Sequence, residues 1–94
     1  MFYNRKGEPI TPEEWGKLHE DPVQRRVAED TIGTIYVSTA WLGIDHGIGR
    51  RRLIFETMTF DEEGTGELQD RYSTEAEALA GHRAAVLRLL KDAN

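Results

Sequence analysis

Two segments constrain this chain more than any other feature. "IYVSTAWL" (35–42) and "LIFETMTF" (53–60) both alternate with a period of two, and both carry bulky residues at odd and even positions. Alternation rich in β-branched and aromatic residues reads as strand. Ile35, Val37, Thr39 and Trp41 share one face, with Tyr36, Ser38, Ala40 and Leu42 on the other. Leu53, Phe55, Thr57 and Thr59 similarly oppose Ile54, Glu56, Met58 and Phe60. The two strands are expected to be antiparallel neighbours. A sheet with two oily faces needs two covers, and the chain holds only one long helical segment.

That segment is "STEAEALAGHRAAVLRLLKD" (73–92), with Thr74 as N-cap, Glu77 at the reciprocal box position and acidic residues in its first turn. Ala76, Leu79, Ala80, Arg83, Val86, Leu87 and Leu90 recur at helical spacing, and this stripe is expected to lie on the sheet with the Arg83 stem snorkelling to the edge. A shorter helix is expected over residues 12–20. Thr11 is its N-cap, Pro12 its first residue and Glu14 the box partner; Trp15 and Leu18 face the body, and Asp21-Pro22 ends it. Ahead of it, "FYNRKGEPIT" suggests an extended piece and a turn at Gly7 and Pro9. From Val23 the period becomes two, giving a strand up to a break near Thr31 to Gly33. A polar turn, "DEEGTGE", leads to a fourth strand near Leu68 to Tyr72. The expected fold is α+β: a four-stranded antiparallel meander, a C-terminal helix packed on one face and a short N-terminal helix, forming one small domain over residues 1–94.

Composition narrows the function. With no cysteine among 94 residues, disulfides and thiolate chemistry are excluded. No apolar run approaches the roughly 20 residues needed to cross a bilayer, and the N-terminus lacks the apolar core of a signal peptide, so a cytoplasmic protein is expected. A net charge of −5 opposes general phosphate binding and argues against a nucleic-acid partner.

The glycine-rich stretch "WLGIDHGIGRRR" (41–52) is the candidate binding loop, carrying Trp41, Asp45, His46, Arg50, Arg51 and Arg52. Its glycines lead into a strand rather than a helix, which argues against a phosphate loop. A metal-dependent hydrolase or nuclease would need Asp45, His46, Glu56 and His82 to converge in space. A nucleic-acid binder would need Arg25, Arg26 and Arg50 to Arg52 on one continuous basic face. Ser38 and Thr39 have no nucleophile-elbow motif. No residue pattern assigns a cofactor or a catalytic set.

At "VSTAWLGIDHG", "LIFETMTF" and "RYSTEAEALAGH" the chain resembles a family of small proteins encoded in tailed-bacteriophage genomes and related bacterial elements, over a span running from "FYNRKGEPIT" through His82. The resemblance implies an accessory phage or prophage protein working in the host cytoplasm, without an assigned activity. Relatives often carry a Gly/Pro-rich segment before the "LIFETM" strand, where this chain has Gly49-Arg50-Arg51-Arg52, so a role for those arginines would be particular to this member. The leading expectation is a non-enzymatic module that binds a host protein or a second copy of itself, as a homodimer, through the sheet face or the loop.

Overall fold

The computed structural model describes residues 1–47, 49 and 51–92. Thr11 opens the first helix as its sequence context demands. Its Oγ1 accepts the Glu14 backbone N–H at 3.1 Å, and Glu14 Oε1 accepts the Thr11 N–H at 3.4 Å. This capping box starts α1 (Pro12–Glu20). Asp21 ends α1 and, against expectation, starts another turn: its Oδ1 accepts the Val23 N–H at 2.9 Å, and Pro22 takes the first helical position of α2 (Pro22–Arg25). The next strand therefore begins at Arg26, not Val23. An Asp-Pro pair can cap forward as well as stop what precedes it.

Before α1, β1 (Phe2–Tyr3) and β2 (Pro9–Ile10) form a small antiparallel hairpin. After α2, β3 (Arg26–Ile32), β4 (Ile35–Trp41), β5 (Phe55–Phe60) and β6 (Gly66–Tyr72) make an antiparallel meander in the order β3-β4-β5-β6. The register sets Thr39 opposite Thr57 and Phe55 opposite Tyr72. It also sets Tyr36 opposite Phe60 and Met58 opposite Leu68 on the reverse face. A bulge in each edge strand adjusts the ladder.

The closing helix, α3 (Glu75–Asp92), lies across the Val37–Thr39–Thr57 face. It is turned differently from the expected stripe. Ala78, His82 and Ala85 are buried against the sheet, whereas Ala76, Leu79, Ala80, Arg83, Leu87 and Leu90 are exposed and Val86 is half-buried. The reason lies in the sheet. The centre of its covered face is hydroxyl-bearing, with Thr39, Thr57 and Tyr72 all buried, and leucines laid over it would strand those hydroxyls without partners. Alanines instead let the helix descend, and His82 supplies the polar partner. At Gly81 the approach is closest: a Cβ there would stand 2.1 Å from the Tyr72 hydroxyl oxygen.

Trp15 and Leu18 of α1 dock on the end of this core, beside Tyr3, Trp41 and Ile54. The Trp15 ring stacks on His19 at 4.5 Å and contacts Phe2 at 4.8 Å, while its Nε1–H donates to the Leu42 carbonyl at 3.0 Å. Each such large apolar side chain contributes about 1.5–3 kcal/mol when fully buried. The hairpin, α1 and the post-β4 loop thus close one end of the sheet, and the second sheet face stays open. The shortest dimension of the molecule, 19 Å, has room for a sheet and one helix layer only.

Candidate functional site

The loop after β4 is organised from within. Asp45 Oδ1 accepts the backbone N–H groups of Gly47 at 2.7 Å and Leu53 at 3.0 Å, and the His46 N–H donates to the Leu53 carbonyl at 3.0 Å. The two backbone bonds, with the Arg52 and His46 charges adding to them, hold the Asp45 carboxyl below its ordinary range. Gly43 sits at φ +73°, and a Cβ would lie 2.6 Å from the Trp15 and Trp41 rings, so only glycine fits. The Tyr3 N–H donates to the Gly43 carbonyl at 2.8 Å, and Phe2 bridges Ile44, which ties the loop to the N-terminal hairpin.

The arginines of the loop are likewise engaged. The Arg51 guanidinium grips both Glu77 oxygens at 2.8 and 3.0 Å, while Arg52 lies over the Tyr3 ring with Cζ 4.6 Å from its centroid. Burial pushes the Glu77 carboxyl upward. The Arg51 charge and the hydrogen bonds from Arg51, Thr74 and Ser73 outweigh that and hold it below its usual range. Arg26 pairs with Glu29 at 3.0 Å on the other side of the chain. Arg50 lies outside the described residues. Trp41, expected in the binding loop, is instead a core residue at 1% exposure, its Nε1–H donating to the Tyr3 carbonyl at 3.1 Å. Asp45, His46, Arg51 and Arg52 are the exposed members of the expected set among the described residues.

The four donors of the hydrolase alternative do not converge. Glu56 shares the open face with Ala40 and Arg71, and pairs with Arg71 at 3.4 Å. His82 lies on the opposite face under α3, and Asp45 is spent on the loop. Among the described residues, no group of three or more His, Asp or Glu side chains is placed to hold a metal ion.

What His82 joins is a hydrogen-bond chain through the core. The Tyr72 hydroxyl donates to Thr57 Oγ1 at 3.1 Å, Thr57 and Thr39 are 2.5 Å apart, Thr39 Oγ1 meets His82 Nδ1 at 2.7 Å, and His82 Nε2 meets Asp30 Oδ2 at 2.8 Å. An unbroken run of donors from the Tyr72 hydroxyl to Asp30 is complete when His82 is the Nε2–H tautomer, with Thr57 donating to Thr39 and Thr39 to Nδ1. Hydroxyl, imidazole and carboxylate stand in the order of a catalytic triad, but Thr39 is wholly inaccessible, so no substrate reaches it. The chain instead locks α3 to all four strands of the meander, through Asp30 of β3, Thr39 of β4, Thr57 of β5 and Tyr72 of β6. Among the described residues no buried side-chain nitrogen or oxygen lacks a partner.

The open sheet face is different in kind. Tyr36, Met58, Phe60 and Leu68 lie side by side across β4, β5 and β6, with Tyr36 and Phe60 rings 6.1 Å apart and Met58 and Phe60 both reaching over Gly66. Leu68 is 44% exposed and the other three are half-buried by one another. Around them stand charges that neutralise each other: Arg26 with Glu29, and Glu56 with Arg71. The Tyr36 hydroxyl donates to Glu29 Oε2, a bond that raises the Tyr36 pKa, with burial and the Glu29 charge adding to it. Among the described residues only α2 reaches this face, at its Ala40 end, where Pro22 and Arg25 border a shallow depression with Tyr36 and Ser38. Among the described residues no helix is long and apolar enough to cross a membrane.

The chain matches no protein-family model, no curated protein and no solved structure. The alternation separated Tyr36 from Val37 and Thr39, and Met58 and Phe60 from Phe55 and Thr57, as the structure has them, whereas Ile54, grouped with Met58 and Phe60, is buried in the core. Sequence reasoning missed Thr39 and Asp30 as the partners of His82, and Thr57 and Tyr72 as the continuation of that chain. The available signal was the pair of threonines at covered positions of adjacent strands, which demand a polar group from whatever packs on them.

Proposed function

We propose that this chain is a non-enzymatic protein-interaction module whose open sheet face receives a partner protein. The observation that carries the reading is the quartet Tyr36, Met58, Phe60 and Leu68, held on an uncovered face inside a ring of internally paired charges. An aromatic- and Met-rich centre with a polar rim is the anatomy of a protein interface. The partner implied is a protein presenting an apolar surface, since the rim charges are paired with one another, Arg25 aside, and give a polyanion little to hold. The resemblance to tailed-phage and prophage proteins supports an accessory role on a host protein in the host cytoplasm.

The test is affinity capture from host lysate with three baits: the intact chain, Leu68→Asp, and the triple variant Asp45→Ala, His46→Ala, Arg51→Ala. Any captured protein is then purified and titrated against each bait. A partner that binds the intact chain and the triple variant but not Leu68→Asp supports the open face. A partner lost only with the triple variant moves the site to the loop and overturns this reading, as does a partner indifferent to both.

A further inference from the structure

The expected amphipathic stripe of α3 exists and points away from the protein. Ala76, Leu79, Ala80, Arg83, Leu87 and Leu90 are all exposed, Leu87 at 58%. Positions 76, 80, 83, 87 and 90 follow the alternating four-three spacing of a coiled-coil seam, with Leu79 beside Ala80. We infer that this outward stripe of α3 pairs with α3 of a second copy, antiparallel across a two-fold axis at Arg83.

The amount of surface supports a second copy. A monomer of 10.7 kDa is expected to expose about 5,500 Å². This chain exposes 6269 Å². The excess, roughly 750 Å², belongs to the whole molecule, the open sheet face and the outward α3 stripe together, and is of the size that one standard interface covers on each partner, ~800 Å².

Side-chain size and charge fix the direction. With the axis at Arg83, Leu79 of each copy meets Leu87 of the other, and Ala76 receives the larger Leu90, so large residues face small ones or interdigitate. The first turn of α3 carries Glu75 and Glu77 and its last turn Lys91. Antiparallel pairing sets the acidic first turn of one copy, Glu75 to Glu77, alongside the Leu89 to Lys91 turn of the other, and it opposes the helix dipoles favourably. A parallel pair would set like charges side by side. Arg83 is the dissonant residue: at the axis it faces its own counterpart, which weakens the pair and makes it tunable.

Self-association of the full chain is read by sedimentation equilibrium over a concentration series, with circular dichroism confirming that each variant is folded. The intact chain is expected to pass from 10.7 kDa to twice that mass with rising concentration. Leu87→Asp is expected to weaken the pair at least about tenfold, and Arg83→Leu to tighten it by about tenfold or more. A mixture of the intact chain with Arg83→Glu is expected to favour the heterodimer over either homodimer. The open sheet face is controlled by Leu68→Asp, expected to leave the dimer unchanged. A chain that stays monomeric up to millimolar concentration overturns the inference. So does a dimer that survives Leu87→Asp, one abolished by Leu68→Asp, or one indifferent to Arg83→Leu.

Discussion

Thr39 Oγ1 and His82 Nδ1 meet at 2.7 Å in the middle of the helix–sheet contact, between a wholly buried strand residue and a helix residue 5% exposed. Replacing Thr39 by Val keeps the shape and removes the hydroxyl, stranding His82 Nδ1 and breaking the chain from Tyr72. The expected cost is about 1–3 kcal/mol, read from urea unfolding. Ser38→Ala on the open face is expected to stay within about 0.5 kcal/mol of the intact chain.

Gly81→Ala improves helix propensity by about 1 kcal/mol on paper. Here the added methyl meets the Tyr72 hydroxyl and ring at 2.1–2.2 Å. The expected outcome is a net loss of about 1–3 kcal/mol from overpacking, with a lower thermal midpoint.

The orientation of α3 has its own check. Leu87→Ser, though it removes a leucine, is expected to leave monomer stability within about 0.5 kcal/mol, measured below the concentration at which chains associate. Ala78→Leu, though it adds one, is expected to destabilise by about 1–3 kcal/mol because Ala78 is fully buried against the sheet.

Acid should loosen the loop. Asp45 and Glu77 are both held below the ordinary carboxylate range, so each favours the folded state above that range, and this contribution disappears as pH falls through the depressed folded values. Urea midpoints at pH 7 and pH 3 should differ less for Asp45→Asn, which keeps an acceptor for the Gly47 and Leu53 amides but has nothing to titrate. An unchanged difference would remove Asp45 from the account.

His19 titrates the other closure. Burial, with the Arg25 charge second, lowers its pKa. A depressed histidine favours the folded state above the ordinary histidine pKa near 6.5, and that contribution is lost as pH falls through the folded value. Proton NMR should show the His19 ring titrating below a free histidine, with part of the shift removed in Arg25→Ala. Its stacking on Trp15 makes Trp fluorescence a second readout.

The elements were legible because local rules governed them. Thr11 and Thr74 with their glutamates marked the starts of α1 and α3, and alternation in 35–42 and 53–60 gave the central strands, their antiparallel pairing and the faces within β4 and β5; Ile54, just before β5, leaves the alternation and packs in the core beside Phe55. The rotation of α3 was not legible, because periodicity detects a stripe and cannot say which layer meets it. The deciding facts were non-local: hydroxyls 18 residues apart on adjacent strands, and a tyrosine needing room under Gly81. Among the loop residues, Asp45 could be read as a turn former, whereas the engagement of Arg51 with Glu77 and Arg52 with Tyr3 depended on how α3 and the hairpin came to flank them.

Since α3 is fastened by alanines, a glycine and an imidazole, its exposed Leu79 and Leu87 contribute little to the integrity of the monomer. They are at liberty to vary, so a lineage could retune or abandon its associations by substitution along one exposed helix surface while every offspring sequence still collapsed to the same shape.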